Sequence, residues 1–296
     1  VVSLWQQKSF EHEQEKGILY LVPTPIGNLE DMSVRAIRIL KEADWIAAED
    51  TRNTKRLCNY FEIETPLISY HEHNKQSSGY KILEKLKEGA KIALVSDAGM
   101  PTISDPGNEL VALAAENQLT VVPLPGANAA LTALIASGLS TQPFYFYGFL
   151  DRQKKTKRKE LENLANITST FILYESPHRL KETLELMETA LGDRKIVLCR
   201  ELTKKFEEFI RGTVSEVREW ASVDEIRGEF CIIIEGASEN IEPTEINAWW
   251  ETLNPKEHVE HYISVKGKTS KEAIKQTAID RGLHKRDVYQ AYHITD

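Results

Sequence analysis

Five times in the first 140 residues, a short apolar or β-branched run gives way to a helical pattern or a turn into one. The runs are 18–22 (ILYLV), 45–48, 67–70, 92–95 and 119–122; the helical patterns between them cover 32–42, 54–60, 80–87 and 110–116. Asp31 is placed to cap the first helix, and Gly89 ends the third. Parallel strands need a crossover between them, and a helix is the usual one. This alternation therefore predicts an α/β fold, with a mostly parallel sheet and helices on both faces.

The pattern changes after Gly138. Ser140 and Pro143 break the chain, then come the aromatic run 144–149 and the basic run DRQKKTKRKE. Strands are expected at 170–174, 196–199, 207–211 and 230–235, with a helix at 179–191. Several of these strands follow one another directly, so the second sheet should be mixed or antiparallel. The polar stretch 237–247, with Pro243, reads as a linker. Three short helical patterns follow at 256–263, 270–280 and 284–292; SKEAIKQTAIDRGLHKRDVYQAY has the helix, glycine turn and helix of a helix-turn-helix. The expected organisation is an extension over 1–16, α/β domains over 17–138 and 139–238, and a helical module over 245–296.

Composition removes several classes. The chain has 296 residues, 41% of them hydrophobic and 28% charged, which excludes disorder. Lys and Arg number 37 against 45 Asp and Glu, a net charge of −8. Nucleic-acid binding must then rest on local basic patches. Cys58, Cys199 and Cys231 are scattered, which fits neither a disulfide framework nor a zinc site; a reduced, cytoplasmic setting and no metal are expected. The first sixteen residues lack the apolar core of a signal peptide. The longest apolar stretch, 121–139, is interrupted by Pro123, Pro125, Gly126 and Asn128, so no membrane partner is expected.

Ligands of open α/β sheets bind beyond the carboxyl ends of the strands, so the loops there carry the functional expectation. After the first strand comes Pro23-Thr24-Pro25-Ile26-Gly27-Asn28, where nucleotide folds place a glycine-rich loop; it reads equally as a plain turn into a capped helix, with Pro25 and Gly27 the candidates for ligand contact. After the second comes Glu49-Asp50-Thr51-Arg52, also readable as a solvated helix start. After the fourth comes SDAGMPTISDPG, 96–107, with Asp97 and Asp105 among rigid and small residues that let a ligand approach the backbone. After the fifth, PLPGANAA turns tightly into a helix of small residues, whose start presents free N–H groups. In the second half, Ser176 and Pro177 suit a helix start, which leaves Glu175, His178 and Arg179 clustered beside it.

Taken in order, VPTPIGNL, AEDTR, SYHEHN, VSDAGMPTISDPG, PLPGANAALTAL, YESPHRL and RELTKKFEE resemble the ribosomal-RNA branch of the tetrapyrrole methylase superfamily. The resemblance covers about residues 19–236 and extends to the helical tail. It implies two α/β domains with S-adenosylmethionine folded into the cleft between them, and 2′-O-methylation of a decoding-region cytidine in 16S rRNA. It implies a donor pocket lined by Asp97, Ala98, Gly99 and Ile103, completed by Pro125-Gly126, Tyr174, Arg200-Glu201 and Gly228-Glu229. It also implies a homodimer. Tetrapyrrole-modifying members resemble G-x-G-P-G-D at the first turn. The acid is missing from Pro25-Ile26-Gly27-Asn28, which favours the RNA branch.

A methyl on a sulfonium is already electrophilic, so the protein must align the ribose hydroxyl and manage one proton. Asp50 and Glu201 are the candidate acceptors, with Arg52 and Lys204 positioning phosphate or the developing oxyanion. The 16S rRNA or small subunit could be held by Lys154 to Lys159, by Lys204-Lys205, or by Lys266, Lys268, Lys271, Lys275, Arg281, Lys285 and Arg286. Tyr70, His71, His73 and Asn74 could meet a splayed base. Two alternatives share the donor pocket: a tetrapyrrole C-methyltransferase, and a donor-sensing regulator that reads nucleic acid through its tail.

Overall fold

The computed structural model describes residues 4–9, 16–223, 225–238, 250 and 253–293. The chain divides into two compact units, Val1–Ala237 and Ser238–Asp296. Most of the expected N-terminal extension and linker, Pro243 included, lies outside the described residues.

The first sheet of the larger unit holds β1 (Ile18–Leu21), β2 (Trp45–Ala48), β3 (Leu67–Ser69), β4 (Lys91–Val95) and β5 (Thr120–Pro123). Their order is β3-β2-β4-β1-β5 and every pairing is parallel. The strands are apolar on both faces because both are covered. Ile18, Ile46, Ala48, Ala93 and Val95 pack with Ile39 and Leu40 of helix α1 (Val34–Glu42). Leu19, Ala47, Ile92 and Leu94 point the other way, onto Ile82 and Leu86 of α3 (Lys75–Lys87) and Leu110 of α4 (Asn108–Glu116).

Three helix starts differ from the expectation. Ser33, not Asp31, caps α1 with its side chain on the Ala36 N–H; Asp31 ends a short 3-10 turn, Leu29–Asp31, capped by Asn28. Helix α2 (Thr51–Tyr60) begins before residue 54 because Asp50 caps it. Helix α3 begins before residue 80, through a polar first turn with no apolar period to reveal it.

The second sheet holds β6 (Phe144–Phe149), β7 (Thr170–Glu175), β8 (Lys195–Arg200), β9 (Glu208–Thr213) and β10 (Phe230–Ile234), in the order β6-β7-β10-β8-β9. It is mixed: β6 and β7 run parallel, and the other pairings are antiparallel. The aromatic run is thus strand β6, and the basic run forms α6 (Lys154–Leu164). With α7 (Pro177–Leu191) and α8 (Val214–Val223), α6 covers one face through Leu161, Leu180, Leu184 and Val217.

The other face is covered by α5 (Ala129–Ser137), the helix of small residues that leaves the first sheet. Its Ala130, Ala133 and Leu134 pack on Ile172, Val197, Cys231 and Ile233. The Arg211 guanidinium donates to the Ala136 carbonyl at 2.7 Å, at the helix's C-terminal end. Small side chains let α5 approach closely, so one helix joins the two sheets.

Lys157 departs from its expected role. It is fully buried, and its ammonium donates to Glu182 at 2.9 Å and Thr183 at 3.2 Å. Thr183 in turn donates to the buried Glu175 carboxylate at 2.6 Å. Lys157 therefore ties α6 to α7 rather than facing RNA. Lys157→Ala removes a buried cation and leaves a void, so it should cost about 2–4 kcal/mol; urea unfolding with no shift in midpoint would contradict that.

The smaller unit is a three-helix cluster of α9 (Pro255–Ser264), α10 (Ser270–Arg281) and α11 (Lys285–His293) around Val259, Ile274 and Val288. Capping boxes at Asn254/Glu257 and Thr269/Glu272 start the first two helices, and left-handed Gly282 ends α10. Arg281 is spent inside this unit. It donates to His258 Nδ1 at 3.1 Å and to the Trp250 carbonyl at 2.6 Å. It is not one of the outward cations.

Candidate functional site

The carboxyl ends of β1 and β4 are joined before any ligand arrives. Thr24 and Gly99 exchange backbone hydrogen bonds at 2.9 and 3.0 Å, and the Ser96 hydroxyl donates to the Gly99 carbonyl at 2.9 Å. Gly99 holds a φ of +85°, which a side chain would resist. The loop beyond it is strained: Thr102 and Ser104 also have positive φ, as do Glu201 and Thr203 on the opposite side. Among the described residues, four of the six non-glycine positions with positive φ thus sit in two loops that wall one cavity.

That cavity has a volume of about 390 Å³. Asp97, Ala98, Gly99, Ile103 and Asp105 form one side; the start of α5, Asn128-Ala129, closes an end. The second sheet supplies Tyr174, Glu201, Lys204 and Glu229, with Phe149 and the buried Cys199 and Cys231 as apolar wall. Tyr174 meets Phe149 edge-on at 5.4 Å, and its hydroxyl accepts from the Ala130 N–H at 3.1 Å. Burial raises the proton affinity of that phenol.

The charges divide into two sets. On the first side, Asp105 is pushed up to about 7, by burial and then by the neighbouring Glu49 and Asp97 carboxylates. Burial and Asp97 likewise raise Glu49. This side is crowded with negative charge and would be relieved by a cation. On the other side, the Lys204 ammonium donates to Glu201 at 3.0 Å and Glu229 at 2.9 Å, and Glu201 also accepts the Glu229 N–H at 2.9 Å. Burial opposes the charged forms of Lys204 and Glu201, but this pairing prevails: the lysine is raised and Glu201 is lowered.

Asp50 and Arg52 do not line the cavity; Asp50 is tied to it through Asp97. Its N–H donates to Asp97 at 3.2 Å; its carboxylate accepts from the Arg52 N–H at 2.8 Å and from the Arg52 guanidinium at 2.7 and 3.1 Å. Those bonds from Arg52 hold it well below the usual carboxylate range.

The family model for tetrapyrrole (corrin/porphyrin) methylases matches residues 18–218. The ribosomal RNA small subunit methyltransferase I of Bacillus subtilis (strain 168) is 67% identical over 291 residues, 98% of this chain and 99% of that protein. The protein of the same name from Synechocystis sp. (strain ATCC 27184 / PCC 6803 / Kazusa) is 46% identical over 275 residues, 93% of this chain and 96% of that one. This chain belongs to the ribosomal RNA small subunit methyltransferase I family, within the tetrapyrrole methylases. Solved structures share the fold at low identity. A cobalt precorrin-4 methyltransferase superposes with a TM-score of 0.57 at 17% identity, over 74% of this chain and 94% of that one. A Thermus thermophilus uroporphyrin-III C-methyltransferase, complexed with S-adenyl homocysteine, gives 0.54 at 19%, over 74% and 97%.

The methyltransferase's remaining candidate residues stand behind the cavity or beside it. Pro25 and Gly27 line a neighbouring hollow instead. A Cβ on Gly27 would come within 2.4 Å of Lys204 Cγ, so this glycine lets the first turn press on the Lys204 loop. Gly126 packs on the Pro23 ring, where a Cβ would lie 2.6 Å from Pro23 Cβ. Pro125, before it, lines neither hollow. Gly228, at φ +82°, makes room for Glu201. Arg200 donates to the Arg227 carbonyl at 2.7 Å and to Glu208 at 3.1 Å, which fixes the loop before β10.

Two clusters are partly taken up by the fold. Glu175 accepts from Ser176 N–H and Thr183 while lining the cavity beside Ser176, and Arg179 donates to the Leu150 and Asp151 carbonyls at 2.7 Å. Tyr70 is buried in the first core and cannot stack on a base; Asn74 folds back onto the His71 N–H at 2.8 Å. Phe149 and Asn128 were not anticipated. Phe149 follows the Gly148 bulge, whose signal was a lone glycine in an aromatic run; Asn128 caps α5.

Proposed function

We propose that this methyltransferase transfers the methyl of S-adenosylmethionine to the ribose 2′-oxygen of a cytidine in the decoding region of 16S rRNA. The observation that carries the donor reading is the cavity: about 390 Å³, apolar on one wall, with the carboxylates of Asp97 and Asp105 on another. A cationic nucleoside suits it better than an anionic cofactor. The near-full-length likeness to small-subunit methyltransferases supports RNA as acceptor, and the first turn, Pro25-Ile26-Gly27-Asn28, lacks the acid of the tetrapyrrole branch.

When bound, the donor supplies an electrophilic methyl on a positively charged sulfur. Asp97 and Asp105, which line the cavity, would hold that cation, and the 97–105 loop would orient it. Holding an oxygen in line with a methyl can supply roughly 7–11 kcal/mol in the best cases, so positioning does most of the work. Neither Asp50 nor Glu201 is a strong proton acceptor where it stands. Asp50 holds Arg52, whose side chain is 86% exposed, and Glu201 holds Lys204.

Asp105 gives this reading a pH dependence. Burial and the Glu49 and Asp97 carboxylates push it up to about 7, whereas a cation favours the ionised form. Affinity for S-adenosylmethionine should rise with pH through about 7, by at most about tenfold per unit. S-adenosylhomocysteine, without the sulfonium charge, should show a shallower profile. Asp105→Asn should flatten the dependence. Titration calorimetry from pH 5.5 to 8.5, values chosen to be about 1.5 units either side, checks this; parallel profiles for both ligands would contradict it.

The function itself is tested with donor labelled at the methyl, offered to undermethylated small subunits, stripped rRNA and a reduced tetrapyrrole. Label in RNA is expected. Label in the tetrapyrrole alone, or donor bound and never consumed, overturns the reading.

A further inference from the structure

Beside the donor cavity lies a second hollow of about 340 Å³, within the range of small-ligand pockets. One wall is a single face of α2: Asn53, Arg56, Leu57 and Tyr60, spaced i, i+3, i+4 and i+7. The opposite wall is the first turn. Asp97 lines both hollows, and it fixes Asn53 by accepting its amide at 3.2 Å. The two spaces therefore meet at one carboxylate.

The buried face of α2 is spent on the core through Thr54 and Cys58. The face toward the hollow exposes Arg56 and, at 64%, Tyr60, whose ring is met by Phe61 edge-on at 4.9 Å. A cation one helical turn from an accessible aromatic ring matches a nucleotide's phosphate and base. Lys204 lines the donor cavity rather than this hollow, and Gly27 lets it press on the first turn between them. Methyl transfer requires the acceptor to abut the donor, and among the described residues this hollow shares a wall with the donor cavity.

Resting on the proposed RNA methylation, we infer that this second hollow receives the acceptor nucleotide, with Tyr60 stacking on its base and Arg56 holding an adjacent phosphate. Asn53 and Asp97 then stand where the ribose meets the donor. The basic residue and the ring act on the RNA alone; the donor does not need them.

The test measures methyl transfer to undermethylated small subunits, with donor affinity measured separately by calorimetry. Tyr60→Ala should raise KM for subunits about ten- to a hundredfold, with donor affinity unchanged, because stacking on one base is worth that much. Tyr60→Phe should restore KM. Arg56→Gln should lower the slope of log affinity against log salt by about 0.7–0.9, the loss of one phosphate contact. Tyr60 is mostly exposed, so these changes spare the core. If the unaltered protein transfers methyl but both variants keep its KM and salt slope, the hollow is not the acceptor site. If Tyr60→Ala weakens donor binding, the hollow belongs to the donor and the inference falls. If the unaltered protein transfers nothing to subunits, the proposed function falls first and takes this inference with it.

Discussion

Asp97→Ala is expected to weaken S-adenosylmethionine binding about ten- to a hundredfold, the loss of one charge-assisted contact of roughly 1.5–3 kcal/mol. The fold should survive, because Asp97 is exposed and the two bonds it accepts, from Asp50 N–H and Asn53, lie at the rim where water replaces them. Since Asp97 lines both hollows, KM for subunits should rise as well. Calorimetry separates the two effects. Donor affinity equal to that of the unaltered chain would place the donor elsewhere.

A chain ending at Ala237 is expected to lose on the order of a hundredfold in affinity for small subunits while binding the donor normally. The larger unit holds both sheets and the whole donor cavity. The smaller unit carries outward Lys266, Lys271, Lys275, Lys285 and Arg286, a local cationic surface on a chain of net charge −8. If three of these meet phosphates, the salt slope should fall by about 2. Filter binding across a salt series checks this, and an unchanged slope would show that the helical unit does not touch RNA.

What could be read in the sequence, and what could not, follows from the kind of signal involved. The parallel sheet was legible because buried strands such as Ile92-Ala93-Leu94-Val95 are apolar throughout and separated by amphipathic helices. Strand β6 was obscured because its aromatic residues carry no alternation across the Gly148 bulge. Helix α5 looked like part of the first domain by position, yet its small side chains serve the second sheet; only packing reveals that. The loops around Asp97 and Glu201 stood out by composition. The identity of the residues that meet behind those loops did not, because Lys204 and Gly27 are distant in sequence and adjacent only in the fold. Charge runs were the weakest guide. Lys157 and Arg281 lie in basic stretches and are both consumed internally.

The most direct test of the account is the chemical position of the new methyl group. Undermethylated small subunits would be treated with the protein and labelled donor, and their RNA digested to nucleosides and resolved by mass. The account predicts 2′-O-methylcytidine from a single decoding-region position, at a linkage that resists alkali because its 2′-hydroxyl is gone. Label on a base carbon or nitrogen, or on a ribose outside that region, would contradict it.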